Sequence, residues 1–170
     1  MRLEPAGPVR ALVVRSIGAL ALLTACALPA VADTRLADAA GKRDVAAVRA
    51  LLGQKVDVNA PDVQGTPALH AAVRLDDRDI ARLLLEAGAD ATLANRYGVI
   101  PLTLATSNGS AAMMRMLLDA GADPNAVDQA GETMLMIASR VGVLEAEQLL
   151  IDRGAKVRAR EATHQQNALM

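Results

Sequence analysis

Few side chains in this 170-residue chain could do chemistry. Cys26 is its only cysteine, His70 and His164 are its only histidines, and Tyr97 is its one aromatic residue. Hydrolytic or transfer catalysis needs a nucleophile, a base and a group that orients the base. None of the spacings that assemble such sets is present: no G-x-S-x-G, no H-E-x-x-H, no phosphate-binding glycine loop and no paired-carboxylate motif. Asp57, Asp90 and Asp123 recur every 33 residues. A repeated turn demands such periodicity, whereas a single active site does not. The remaining chemistry is soft. Met113, Met114, Met116, Met134 and Met136 crowd into two neighbouring segments, and an exported thioether cluster could hold Cu(I). The same methionines serve equally as flexible core filler, and Met113, Met116 and Met134 fall where other segments place core residues. The expectation is a chain that is no enzyme and needs no cofactor.

Composition narrows the class. Apolar residues make up 52% and charged residues 22%, which excludes disorder as the default. A core without Phe or Trp must be built from Ala, Leu, Val, Ile and Met, which suits thin layers between closely spaced helices. The net charge of −1, with no basic stripe and no interleaved aromatics, gives no footprint for nucleic acid. Residues 1–32 differ from the rest. Arg2, Arg10 and Arg15 precede an apolar run from Ile17 to Leu28, then Pro29 and the small residues Ala30-Val31-Ala32. This is the layout of a secretory signal peptide, too short for a comfortable membrane span. Cleavage after Ala32 leaves residues 33–170 with a net charge of −3. Leu23-Thr24-Ala25-Cys26 offers a second outcome, because it resembles the bacterial lipobox and makes Cys26 a candidate lipidation site. The expected location is the periplasm, with lipid anchoring to a membrane through Cys26 as the alternative. In either case the folded part carries no thiol and needs no disulfide.

The elements that must position everything else follow a 33-residue beat. Gly65, Gly98 and Gly131 share that spacing, as do Gly88, Gly121 and Gly154. "LLLEAGADATLANRYG" and "MLLDAGADPNAVDQAG" align without gaps. A period of this length predicts a solenoid of stacked units. Within each beat the pattern is helix, tight turn, helix, long loop. Pro101 suits a first helical turn, Asp77 and Ser110 are candidate caps, and Gly88, Gly121 and Gly154 suit helix ends that need a left-handed residue. The stripes expected to be buried are Ile80, Leu83, Leu84 and Leu85; Met113, Met114, Met116, Leu117 and Leu118; and Leu144, Leu149, Leu150 and Ile151. Lys55 stands where the other units place glycine, so Gly53 is expected to end its helix two residues sooner.

These words resemble ankyrin repeats from about Arg35 to Lys156. Asp62, Gly65, Leu69, His70 and Ala72 match the family pattern in one unit. Gly98, Pro101, Leu102, Ala105, Gly121, Ala122, Asp123 and Asn125 match it in the next, and Asp128, Gly131, Thr133, Leu135 and Ala138 in the third. Thr66-Pro67 lies one residue early, which puts the start of that helix in question. The resemblance implies an all-α repeat solenoid of helix-turn-helix units with β-hairpin-like loops. It is divided as 35–64 (N-terminal capping repeat), 65–97, 98–130, 131–160, and a frayed tail over 161–170. It also implies that His70 ties neighbouring repeats together by hydrogen bonding.

For function, the resemblance implies a non-catalytic protein–protein interaction module that binds a partner on a concave face of loop tips and first helices. Positions that break the beat there are Val63, Gln64, Arg74, Arg96, Tyr97, Gln129 and Arg140. Tyr and Arg are enriched among interface hot spots, which puts Tyr97 first. The chain is expected to be monomeric, to bind a protein of unspecified identity, and to meet a membrane only through its leader or a lipid anchor. Stress protection is a family-level expectation for exported arrays. The alternatives are an inhibitor or immunity protein against an exported toxin or enzyme, and copper binding by the methionines. The tail prediction is direct: amides of residues 161–170 should exchange within the dead time of a hydrogen-exchange experiment, and strong protection there contradicts a frayed end.

Overall fold

Four residues spaced by 33 open the second helix of each unit: Asp44, Asp77, Ser110 and Val143. In three of them a side-chain oxygen accepts the backbone N–H three residues on. Ala47 donates to Asp44 Oδ1 at 2.9 Å, Ile80 to Asp77 Oδ1 at 3.1 Å and Met113 to Ser110 Oγ at 3.4 Å. Such a cap contributes about 1 kcal/mol to a helix too short to persist alone. Val143 makes no cap bond. It packs instead over Gly109, where an added Cβ would come within 2.8 Å of Val143 Cγ2.

A computed structural model describes residues 34–157. The expected signal peptide over residues 1–32, Cys26, His164 and the expected tail over 161–170 lie outside the described residues. The elements are α1 (Arg35–Gly41), α2 (Val45–Gly53), α3 (Ala68–Arg74), α4 (Arg78–Glu86), α5 (Pro101–Ser107), α6 (Ala111–Asp119), α7 (Met134–Val141) and α8 (Leu144–Asp152). Odd-numbered helices stack into one layer, in the order α1, α3, α5, α7. Even-numbered helices form the second layer, in which α2 packs on α4 and α6 on α8 more closely than α4 on α6. Two positions show how the layers share a core. Leu36, Leu69, Leu102 and Leu135 are buried in the first, and Leu51, Leu84, Leu117 and Leu150 in the second. Burying each leucine favours folding by about 1.5–3 kcal/mol, and each is covered only because neighbouring units stack. Among the described residues the loops contain no strand. Their hairpin character reduces to single bridges, Pro61 to Pro67 and Val127 to Thr133.

The shifted Thr66-Pro67 leaves the helix start unmoved: α3, α5 and α7 begin at Ala68, Pro101 and Met134, in strict register. Only the cap changes. Thr133 accepts the Met136 N–H at 3.3 Å, whereas Pro67 at the equivalent place has no hydroxyl to offer. Two other expectations are corrected. Leu144 is 80% and Ile151 43% exposed, although they belong to an apolar stripe. The equivalent Ala111 and Leu118 are buried because the next helix pair lies against them, and among the described residues no pair follows α8.

Gly53 does not end α2 early. It is the last residue of a nine-residue helix equal in length to α4, α6 and α8. Lys55 itself takes the left-handed conformation, with φ of 56°, that Gly88, Gly121 and Gly154 adopt at 91°, 96° and 89°. A side chain in that conformation costs about 1–2 kcal/mol relative to glycine, and the chain tolerates it because stacking dictates the turn. Lys55→Gly should therefore raise the unfolding free energy by about 1 kcal/mol in urea denaturation. An unchanged or lower midpoint would show that the lysine side chain offsets the strain.

Candidate partner-binding groove

The loop tips are built by one device used three times. Asp62 Oδ1 accepts the N–H groups of Gln64 and Thr66 at 2.8 and 2.9 Å. Asn95 Oδ1 accepts those of Tyr97 and Val99 at 2.9 and 3.1 Å, and Asp128 Oδ1 those of Ala130 and Glu132 at 2.9 and 2.8 Å. Each side chain thus closes its own turn. Successive tips stack closely. The Arg96 N–H donates to the Gly65 carbonyl at 3.0 Å, and its side chain lies where a Cβ on Gly65 would be, 2.4 Å from Arg96 Cδ. Gln129 Nε2 lies 2.5 Å from the corresponding point on Gly98.

Between these tips and the first helices runs a groove of about 420 Å³. Asp38 and Gly41 of α1, His70, Ala71 and Arg74 of α3 and Leu104 of α5 line one side. Asp62, Gln64 and Thr66 from one loop, and Asn95, Tyr97 and Val99 from the next, line the other. Gln64, Arg74 and Tyr97, three of the positions singled out from sequence, therefore converge. Tyr97 is 54% exposed, and the Arg96 guanidinium lies 5.0 Å from its ring centroid. A cation at that distance is attracted by the ring face.

The other sequence-derived positions lie elsewhere. Val63 projects from its loop tip, 84% exposed, outside the groove lining. The side chains of Arg96 and Gln129 pack across the preceding glycines. Arg140 is held by Glu132 Oε2 at 2.9 Å. Sequence reasoning missed Asp38, Asp62 and Asn95 as groove residues. A signal for Asp38 was available, because its register positions in later units hold Ala71, Leu104 and Ile137.

His70 forms the groove floor and joins two units. Its Nε2 lies 2.8 Å from the Val99 carbonyl oxygen. A carbonyl only accepts, so Nε2 carries the proton and Nδ1 is left as a bare lone pair. His70 is 1% exposed, and among the described residues Nδ1 has no hydrogen-bond partner. Burial pushes the imidazole below its usual range, against the smaller opposing effect of the Val99 bond.

A sequence model of ankyrin repeats (three copies) matches residues 21–95 and 88–161, most of the chain. The chain belongs to the ankyrin-repeat family. Two curated proteins carry similar segments. The E3 ubiquitin-protein ligase KEG of Arabidopsis thaliana is 36% identical over 64 residues, and the tyrosine-protein kinase HTK16 of Hydra vulgaris 38% identical over 73. The matches cover 37% and 41% of this chain but 4% and 10% of those proteins, so the chain spans only a small part of their length. Ankyrin repeats are protein–protein interaction modules and are typically non-catalytic. The ankyrin core takes up three of the five clustered methionines: Met113, Met114 and Met134 are fully buried, while Met116 and Met136 are half-buried. The Met134 sulfur accepts from the Thr103 hydroxyl at 3.8 Å and lies as far from that of Thr106, whose one proton goes to the Leu102 carbonyl at 2.8 Å.

The sign of the His70 effect follows from linkage. The unfolded chain takes up a proton near pH 6.5, and the folded chain only at lower pH. Stability is therefore fully present above about pH 6.5 and declines as the pH falls from there towards the depressed folded value. The urea midpoint should drop between pH 7 and pH 5, and His70→Gln should flatten that slope. An equal slope in the variant would assign the titration to another group.

Proposed function

We propose that this ankyrin array is exported to the periplasm and holds one protein partner, as a monomer, in the groove between its first helices and loop tips. The observation that carries the reading is the convergence of Tyr97, Gln64 and Arg74 on that groove. Tyr97 is the chain's only aromatic residue and is half exposed beside a groove lined by polar loops. Arg74 makes no ion pair with a described residue. Tyr and Arg at the centre of such a patch are typical anchors of protein interfaces, and truncating one costs about 2 kcal/mol or more. Export rests on the basic, apolar and small-residue order of residues 1–32. Among the described residues no helix is long and apolar enough to cross a membrane.

The test is affinity capture from periplasmic extract with the intact chain, a Tyr97→Ala/Arg74→Ala variant and Arg140→Ala as an off-groove control. Recovery of a specific protein should fall at least tenfold with the double variant and be unchanged with the control. Equal recovery with all three would place the interface elsewhere. Mass spectrometry of the same preparation should find an N-terminus at Asp33. An acylated Cys26 would instead make the array membrane-anchored, and an intact Met1 would sink export.

A further inference from the structure

The turn after α5 holds the chain's one Asn-Gly pair, Asn108-Gly109. Such a pair carries a reaction of its own. The Gly109 backbone nitrogen attacks the Asn108 side-chain carbon Cγ, an approach that glycine leaves unobstructed because it has no side chain and turns freely. The N–Cγ bond forms, the Cγ–Nδ2 bond breaks, and ammonia leaves with the proton of the Gly109 N–H. Water then opens the cyclic imide at either carbonyl. One product is aspartate. The other is isoaspartate, whose main chain runs through Cβ and Cγ and is one atom longer. Asn59, Asn95 and Asn125 precede Ala, Arg and Ala and lack this ready path.

The folded stack holds the reaction back. Asn108 Nδ2, the leaving group, donates to the Val73 and Arg74 carbonyls at 3.1 and 3.4 Å, across the junction between units 65–97 and 98–130. The attacking Gly109 N–H donates to the Thr106 carbonyl at 2.9 Å. Ring closure needs the Gly109 nitrogen on the Cβ side of Asn108, and at ψ −12° it nearly eclipses the Asn108 nitrogen instead. Reaction therefore requires the turn to unwind. What pins the turn lies across the junction: the two Asn108 bonds, and Ser110 Oγ to Asp76 at 2.6 Å. The seven residues of α5 do not persist as a helix once that support is lost. This junction is also the one whose second layer is least joined. α4 and α6 touch less than the other even-numbered neighbours, and Thr92 stands where Asn59 and Asn125 clamp the next unit.

We propose that Asn108 is a deamidation site gated by this junction: it reacts when units 65–97 and 98–130 part, and its products resist re-closure. A carboxylate at 108 has no proton to donate, and it faces two carbonyl oxygens in the place of Nδ2. Isoaspartate also lengthens a turn that the 33-residue register fixes. A local opening is thus converted into a lasting covalent mark.

The intact chain is incubated at neutral pH, folded and in unfolding urea, and deamidation is read residue by residue by peptide mass spectrometry. In urea Asn108 should react at least tenfold faster than Asn59, Asn95 or Asn125, and at least tenfold faster than in the folded chain. Two clamp variants locate the gate. Asp76→Gly removes the acceptor of Ser110 but suits the left-handed turn, and should speed the folded-state reaction at Asn108 at least threefold. Asn125→Ala removes the clamp at the following junction and should leave that rate unchanged. Asn108→Asp should lower the urea midpoint and speed hydrogen exchange of the α5 amides. Equal rates in the folded and unfolded chain overturn the proposal. So does a rate that Asp76→Gly leaves unchanged or that Asn125→Ala raises equally, and so does an unchanged midpoint for Asn108→Asp.

Discussion

The fold of residues 34–157 depends on one constraint: no helix pair can bury its apolar surface without a neighbour in register. The helices are seven to nine residues long, below the length at which an isolated helix persists in water. Their stability comes from rows such as Leu51, Leu84, Leu117 and Leu150, which meet only if each unit repeats after 33 residues. A one-residue slip would turn the row out of the core. Backbone turns must therefore recur at fixed places whether or not the local residue suits them. Arg43, Asp76, Gly109 and Gly142 all take positive φ at one turn, and Lys55, Gly88, Gly121 and Gly154 at the other.

Register fixes the backbone but leaves each junction to find its own polar clamps. At the first junction Asn59 Oδ1 accepts the Asp90 N–H at 2.9 Å. At the third, Asn125 repeats this with Lys156 and adds a bond to the Gly154 carbonyl at 3.1 Å. At the second, Thr92 occupies the asparagine's place and turns back to Asp90 at 2.7 Å. It reaches no neighbour, and here α4 and α6 make the least contact of the second layer. Other bonds join the two units here: His70 bonds Val99, Asn108 Nδ2 bonds the Val73 carbonyl at 3.1 Å and Ser110 bonds Asp76 at 2.6 Å. The groove spans this junction, so His70 both forms its floor and bonds the two units together there.

Much of this was legible in the sequence because repetition is a self-check. Three aligned copies make Gly88, Asp77, Ser110 and Leu69 unambiguous, and all take the places their spacing predicts. What periodicity cannot show is which departures from the pattern are free. Tyr97, Arg96, Gln129 and Arg140 all break the beat at the surface and look alike in sequence. The structure separates them: Arg96 and Gln129 lie over neighbouring glycines, Arg140 is paired with Glu132, and Tyr97 is open to the groove. Periodicity also hid the ends. Leu144 and Ile151 read as core because their counterparts are core, yet burial depends on the following unit and not on the residue itself.

Among the described residues, three non-glycine residues with positive φ, Arg43, Lys55 and Asp76, carry the same point into energetics. The left-handed conformation costs each of them about 1–2 kcal/mol. The Arg43 guanidinium donates to the Leu75 carbonyl of the next unit, and the Asp76 carboxylate accepts from Ser110 of the unit after its own. A hydrogen bond that involves a charged group contributes about 1.5–3 kcal/mol, enough to offset the strain, less the cost of holding an exposed side chain still. Glycine at either place would relax the turn and lose the clamp. Lys55 is exposed and makes no such bond with a described residue, so nothing across the junction compensates its backbone. In this array a departure from glycine is stable where its side chain joins two units, and Lys55 is the position where the repeat register alone holds the turn.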